Sequence, residues 1–122
     1  MKRFVFVLVF LALLFPARLL ACSCDGPIHF CETMSYSAPL TVLAVKTAVI
    51  DHGMRVEVLD VLRGAESRQE IIIWGDNGFL CRHYAAMWAV GDTVVFNLGM
   101  IGAYPDMPQE DSLDYTISFC GV

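Results

Sequence analysis

Basic residues are scarce in this chain. Of its 122 residues, 8 are Lys or Arg and 13 are Asp or Glu, which gives a net charge of −5. Lys2, Arg3 and Arg18 precede residue 22, so the remainder carries five basic against thirteen acidic side chains. A nucleic-acid-binding protein needs a basic face to displace phosphate counterions, and adsorption to an anionic bilayer needs a polybasic patch. We therefore expect no nucleic-acid partner and no electrostatic adsorption to a membrane.

Internal repeats, long amphipathic helices and catalytic motifs are also missing from the sequence. Nothing recurs at a fixed spacing, which excludes collagen and coiled-coil architectures. The sequence contains no P-loop, nucleophile elbow, Ser-His-Asp order or paired-carboxylate motif. It therefore predicts no enzyme activity and no bound cofactor.

An apolar run is present only at the start of the chain. Met1-Lys2-Arg3 is positively charged, Phe4 to Phe15 is apolar throughout, and Leu19-Leu20-Ala21 is typical of a cleavage site. The run is shorter than the roughly 20 residues that span a bilayer, and it matches the core of a signal peptide better than a membrane anchor. Residues 1–21 are therefore predicted to be a signal peptide, and residues 22–122 a secreted or periplasmic domain.

All the cysteines lie in the predicted exported domain. The sequence contains five, Cys22, Cys24, Cys31, Cys81 and Cys120. An oxidising compartment favours disulfides over a zinc or copper site built from the first three cysteines and His29. Because the count is odd, one cysteine either keeps a free thiol or has another use.

Five strand-like segments separated by turns predict an all-β fold. They are Thr41 to Ile50, Met54 to Leu62, Glu70 to Trp74, Thr93 to Leu98, and Leu113 to Phe119. Residues 84–90 are predicted to form a short helix, and residues 99–112 a loop. Strands of this number and length favour a small five-stranded Greek-key barrel of the OB type.

Local patterns add detail to this barrel. Asp51-His52-Gly53 predicts a hairpin turn with Gly53 at positive φ, and the alternation after Met54 slips at Val58-Leu59, where we expect a β-bulge. One residue of each strand is assigned to the barrel interior: Val42, Val56, Ile72, Val95 and Ile117.

Two groups of polar residues are weaker candidates for a site. Asp106, Glu110, Asp111 and Asp114 form an acidic stretch without the spacing of an EF-hand, so we interpret it as a solvated loop rather than a calcium site. His52 and His83 are expected to be exposed or satisfied polar residues rather than metal ligands.

The residues that follow the predicted cleavage site carry the most specific signal. The exported chain would begin Cys22-Ser23-Cys24, followed by Pro27, His29 and Phe30-Cys31. This resembles the start of the tissue inhibitors of metalloproteinases, which begin with Cys-x-Cys directly after the signal peptide. The strand pattern, with Arg63-Gly64 after the second strand and Cys81 after the third, extends the resemblance over most of residues 22–122. It implies the family's netrin-like OB domain, in a bacterial relative.

The resemblance implies a mechanism as well as a fold. In this family, the α-amine and carbonyl oxygen of the first cysteine chelate the protease's catalytic zinc, which here assigns that role to Cys22. Ser23 would enter the specificity pocket and Cys24 would lie beside it. An adjacent ridge would be formed by Asn77, Gly78, Phe79 and Leu80, and these four residues are called the ridge from here on. The implied partner is a zinc metalloprotease.

Disulfide bracing is also implied by the resemblance. Cys22 or Cys24 is expected to bridge to Cys81, while Cys120 has Cys31 or Cys24 as alternative partners. The chain departs from the family in having five cysteines rather than six in this domain. It also has Arg82 after Cys81, where the inhibitors usually have glycine.

A second interpretation assigns Cys22 to a different use. Leu19-Leu20-Ala21-Cys22 also resembles a bacterial lipobox, whose cysteine is acylated. Acylation would leave four cysteines for two bridges, and it would make the protein an outer-membrane lipoprotein carrying a netrin-like binding domain. The two interpretations exclude each other, because an N-acylated Cys22 has no amine lone pair for zinc and an S-acylated Cys22 has no thiol for a disulfide.

Overall fold

Five strands close into a barrel in the computed structural model, which describes residues 39–103 and 105–117. The strands are β1 (Leu40–Ile50), β2 (Gly53–Arg63), β3 (Glu70–Trp74), β4 (Thr93–Met100) and β5 (Tyr115–Thr116). Their order around the barrel is β1-β2-β3-β5-β4, with β4 pairing back onto β1. All neighbours are antiparallel except β3 and β5, which are parallel. The predicted all-β barrel of five strands is confirmed.

The predicted element bounds differ from the observed ones mainly after β3. The helix expected over residues 84–90 is a single 3-10 turn, Ala85–Met87. β4 continues two residues beyond Leu98, while β5 pairs only at Tyr115–Thr116 rather than from Leu113. The predicted end of β5 at Phe119 lies outside the described residues.

The β1–β2 turn is tight, but Gly53 has a different role from the predicted one. Asp51, not Gly53, adopts the left-handed conformation, with φ of 47°. Gly53 already belongs to β2, and a Cβ at this position would lie 2.6 Å from Cε3 of Trp74. Glycine is therefore required by the close approach of the indole ring and not by a positive φ, and that part of the prediction is wrong.

The expected bulge in β2 is confirmed. Leu43 pairs with Asp60 and Ala44 pairs with Val58, so Leu59 has no partner between them. An extra residue in one strand of an antiparallel pair bends that strand and increases its twist, which helps a short sheet to close.

The interior face of β3 is displaced by one residue from the prediction. Val42, Val56 and Ile117 are buried as expected, whereas Ile72 and Val95 are only half-buried. Ile71 and Ile73 point inward instead, because they pair with Val56 and Met54 of β2, whose side chains face the core. Three consecutive isoleucines carry no alternation signal, so only the register decides which face is buried.

One buried cation lies at the β1 side of the core. The Lys46 side chain is 1% exposed, and its Nζ donates hydrogen bonds to the carbonyl oxygens of Ala85 (2.9 Å) and Trp88 (2.8 Å). Within the described part of the chain, no carboxylate pairs with it. The lysine thus ties the 3-10 turn to β1 through carbonyl acceptors alone.

Side chains reinforce the closure at β5. This strand makes only two residue pairs with β3 and two with β4. Next to it, the Trp74 indole Nε1 donates to Asp114 Oδ2 at 2.8 Å, and the Tyr115 hydroxyl donates to Glu66 Oε2 at 2.7 Å. These bonds attach β5 and the residue before it to β3 and to the loop after β2.

Glu66 also forms an ion pair with Arg68. The guanidinium donates from Nε to Oε1 (3.0 Å) and from Nη2 to Oε2 (2.6 Å). These bonds lower the pKa of Glu66 to about 2, against the opposing effect of burial. Burial, together with the bond to Glu66, raises the pKa of the Tyr115 phenol.

The β3 register gives a direct stability test. Ile73→Ala is expected to lower the free energy of unfolding by about 2–5 kcal/mol, because it removes buried methyl and methylene groups and leaves a cavity. Ile72→Ala, the neighbouring half-buried position, should cost roughly 1 kcal/mol. Urea denaturation monitored by circular dichroism measures both. Equal losses, or a larger loss at Ile72, would contradict the register.

The Glu66–Arg68 pair predicts acid sensitivity. A carboxyl whose pKa falls from 4.5 to about 2 on folding contributes stability that is complete above pH 4.5 and is lost as the pH falls towards 2. Melting temperatures between pH 6 and pH 2 should therefore fall less steeply for Glu66→Gln than for the wild type. Glu57→Gln, at an exposed position on β2, is the control and should keep the wild-type slope. Identical slopes for all three proteins would exclude a contribution from Glu66.

Candidate functional site

The loop between β3 and the 3-10 turn carries the predicted ridge. At its base, the amide of Gly75 donates to the His52 carbonyl (3.1 Å) and that of Asp76 donates to the His83 carbonyl (3.0 Å). A further amide, that of His83, donates to the Ile117 carbonyl at 3.2 Å. The loop therefore leaves and re-enters the barrel through backbone hydrogen bonds to the β1–β2 turn and to the residue after β5.

Within the loop, two side chains fix the conformation of the backbone. Asp76 Oδ1 accepts hydrogen bonds from the amides of Gly78 and Leu80, the latter at 3.2 Å, and Asn77 Oδ1 accepts from the amide of Phe79 at 3.0 Å. Gly78 has φ of 101°, a conformation that other residues rarely adopt. Sequence reasoning selected residues 77–80 but missed Asp76, although a D-N-G sequence is a typical signal of side-chain-stabilised turns.

The loop with these hydrogen bonds exposes the aromatic side chain of Phe79 to solvent. Phe79 is 91% exposed, whereas Leu80 is half-buried and Asn77 Nδ2 contacts Met107 Sδ at 3.2 Å. Among the large apolar side chains of the described residues, Phe79 is the most exposed.

Cys81 follows the ridge directly and is disulfide-bonded. The other four cysteines lie outside the described residues, so the predicted pairing with Cys22 or Cys24 and the bracing of the barrel stay predictions. Ser23 and His29 lie outside the described residues as well.

An ion-pair network connects the residue after Cys81 to the chain between β4 and β5. Arg82 donates from Nη1 to Glu110 Oε1 and from Nη2 to Asp106 Oδ2 (2.5 Å), and Glu110 Oε2 also accepts from the Asp106 amide at 3.0 Å. Burial raises the pKa of Glu110, but the hydrogen bonds and charge of Arg82 outweigh it and keep this pKa below the ordinary value. Arg82, the departure from the family pattern, thus connects the ridge loop to residues 105–110.

The acidic stretch is consequently not the solvated loop that the sequence indicates. Glu110 and Asp114 are buried against Arg82 and Trp74, while Asp106 and Asp111 remain exposed. Composition alone misses the difference, because the cationic and indole partners lie 28 and 40 residues away along the chain.

His52 is expected from the sequence to be exposed or to have its polar atoms satisfied, and its environment differs from this. Its Nε2 is buried without a hydrogen-bond partner, 3.7 Å from Glu110 Oε1, and its ring lies 4.9 Å from the Trp74 ring. His83 is half-buried, with its ring 6.4 Å from that of Trp88. No group of three or more His, Cys, Asp or Glu side chains suited to a metal ion occurs in residues 39–103 and 105–117.

Comparison with known proteins adds no family to this description. No protein-family model, curated protein or solved structure matches the chain. The resemblance to the metalloproteinase inhibitors therefore depends on the sequence residues given above. Over the described ranges, the structure contains no helix with the length and apolar character needed to cross a membrane.

The conformation of the ridge depends on Asp76, which gives a further prediction. Asp76→Ala should speed hydrogen exchange of the Leu80 amide by about tenfold or more, since a bond to a charged acceptor contributes about 1.5–3 kcal/mol. Asp76→Asn keeps one acceptor oxygen and should have a smaller effect. NMR-detected exchange measures the change, with amides of β1 as the internal control. Unchanged exchange at Leu80 in Asp76→Ala would show that the ridge does not depend on this side chain.

Proposed function

We propose that this protein is an exported inhibitor of zinc metalloproteases that docks through the ridge and its N-terminal segment. The observation that carries the proposal is Phe79, which is 91% exposed on a loop fixed by Asp76 and Asn77 and followed by a disulfide-bonded Cys81. Exposed aromatic anchors supply much of the affinity of protein interfaces. A loop that is already ordered also loses less conformational entropy on binding.

The proposal includes an OB-type Greek-key topology for the barrel. Three features support it: β1, β2 and β3 form a meander, β4 returns to β1, and β5 lies between β3 and β4. This arrangement fits the netrin-like domain that the sequence resembles. The ridge then belongs to the loop that follows the third strand, the position that the resemblance assigns to it.

The inhibitory step assigns zinc chelation to Cys22. Its α-amine and carbonyl oxygen would occupy the position on the protease zinc where the attacking water otherwise binds. The amine must be neutral to donate its lone pair, and an ordinary α-amine has a pKa of about 7.7–8, so inhibition weakens below about pH 6. Ser23 enters the specificity pocket, with Cys24 beside it. A bridge from Cys22 or Cys24 to Cys81 would hold this terminus next to Phe79.

The competing function requires an acylated Cys22. The odd number of cysteines favours acylation, because it leaves four cysteines for two bridges. In that case the protein is a lipid-anchored binding module, located at the outer membrane, that presents the same ridge to a partner without chelating zinc. The intact mass of the natively processed protein distinguishes the two. It reports the cleavage site, any acyl chain and the number of disulfides in one measurement.

The inhibitory mechanism is tested with two variants, which are compared with the native protein processed to Cys22 on a panel of zinc metalloproteases. One extra Ala before Cys22 should abolish inhibition, because the amine becomes an amide and the added residue blocks the approach to zinc. Phe79→Ala should weaken inhibition about 30-fold, the effect expected for an aromatic anchor worth about 2 kcal/mol. Val49→Ala, an exposed apolar position on β1, is the matched control and should leave inhibition unchanged.

Two results would overturn this proposal. Inhibition by the Ala-extended protein that equals inhibition by the native one would exclude chelation by the terminus. An acyl chain on Cys22 in native material would replace the inhibitor with the anchored binding module.

A further inference from the structure

A surface pocket lies beside the ridge, between the loop after β3 and the end of β4. Its volume is about 370 Å³. Phe79, Leu80, Met100 and Ile101 supply apolar lining, and Arg82 and Asp106 are the charged residues. Phe79 and Met100 are both largely exposed, so the apolar rim is accessible from solvent.

The ion-pair cluster at the pocket, which includes Glu110 behind the lining, has one more carboxylate than cations. Arg82 is the one cation there, and it binds two carboxylates: Glu110 through Nη1 and Nη2, and Asp106 through Nη2. Glu110 is fully buried, whereas the Asp106 side chain is 57% exposed. The carboxylate that a ligand meets is therefore Asp106, and the guanidinium behind it is already engaged.

These features fit one kind of ligand group. A Lys or Arg side chain has a long aliphatic stem and a cationic head, which match an apolar wall that ends in a carboxylate. The face of an exposed phenylalanine ring such as that of Phe79 attracts a cation as well. An anionic group is disfavoured, because it would meet the Asp106 carboxylate and because Arg82 already pairs with two carboxylates.

We infer that this pocket receives a basic side chain of the protein partner, with the aliphatic stem against Phe79, Met100 and Ile101 and the charged head at Asp106. The inference rests on the proposed function in that it describes the partner's contacting residue at the same surface. The binding of the basic group itself is measurable without any protease.

The test uses the full exported protein and two small probes of nearly equal size, N-acetylarginine methylamide with a cationic guanidinium and N-acetylcitrulline methylamide with a neutral urea. In NMR titrations, the arginine probe should shift the amides of Leu80, Arg82 and Asp106 saturably. The citrulline probe should bind about fivefold more weakly, the scale of a part-exposed ion pair. Asp106→Asn should remove this preference, while Asp60→Asn, an exposed carboxylate on β2, should keep it. The preference should also shrink at high salt.

Three outcomes overturn the inference: equal binding of the two probes, no shift at the pocket residues, or pocket shifts that depend on protein concentration alone. The last would assign the pocket to a second copy of this chain. Arginine-selective binding combined with no inhibition of any protease would instead overturn the proposed function and leave the pocket's preference standing.

Discussion

Closure of the barrel depends on its shortest strand. β5 contributes two residues, and it must join β3 to β4 to complete the ring. Two residue pairs on each side provide few backbone hydrogen bonds. Side-chain hydrogen bonds around the strand therefore add to its attachment. Trp74 bonds to Asp114 and Tyr115 bonds to Glu66, which adds one buried and one part-buried side-chain hydrogen bond to β5 and the residue before it.

The same segment that ends in β5 also supports the candidate site. Between β4 and β5, Glu110 binds Arg82, two residues after the ridge, and Asp106 lines the pocket beside the ridge. Barrel closure and the position of the ridge are therefore physically connected through one stretch of loop. Breaking a buried ion pair by removing one partner typically costs about 3–5 kcal/mol, so a change at Glu110 would affect both at once.

The sequence was sufficient where a pattern is local. Strand bounds for β1, β2 and β3, the bulge at Leu59 and the turn at Asp51 all follow from alternation or turn chemistry within a few residues. Sequence patterns did not predict the features that depend on contacts between residues far apart in the chain. The inward face of the isoleucine run depends on the register with β2, and the burial of Glu110 depends on a cation 28 residues away along the chain.

Lys46 has a consequence for chemical labelling. The sequence contains two lysines, and the other, Lys2, lies in the predicted signal peptide. After cleavage, the single ε-amine is buried and donates hydrogen bonds to two carbonyl oxygens. An amine-selective reagent applied to the folded, processed protein would then have the α-amine as its remaining target. A fluorophore or affinity tag attached in this way would mark the N-terminus at a single position, without any engineered residue.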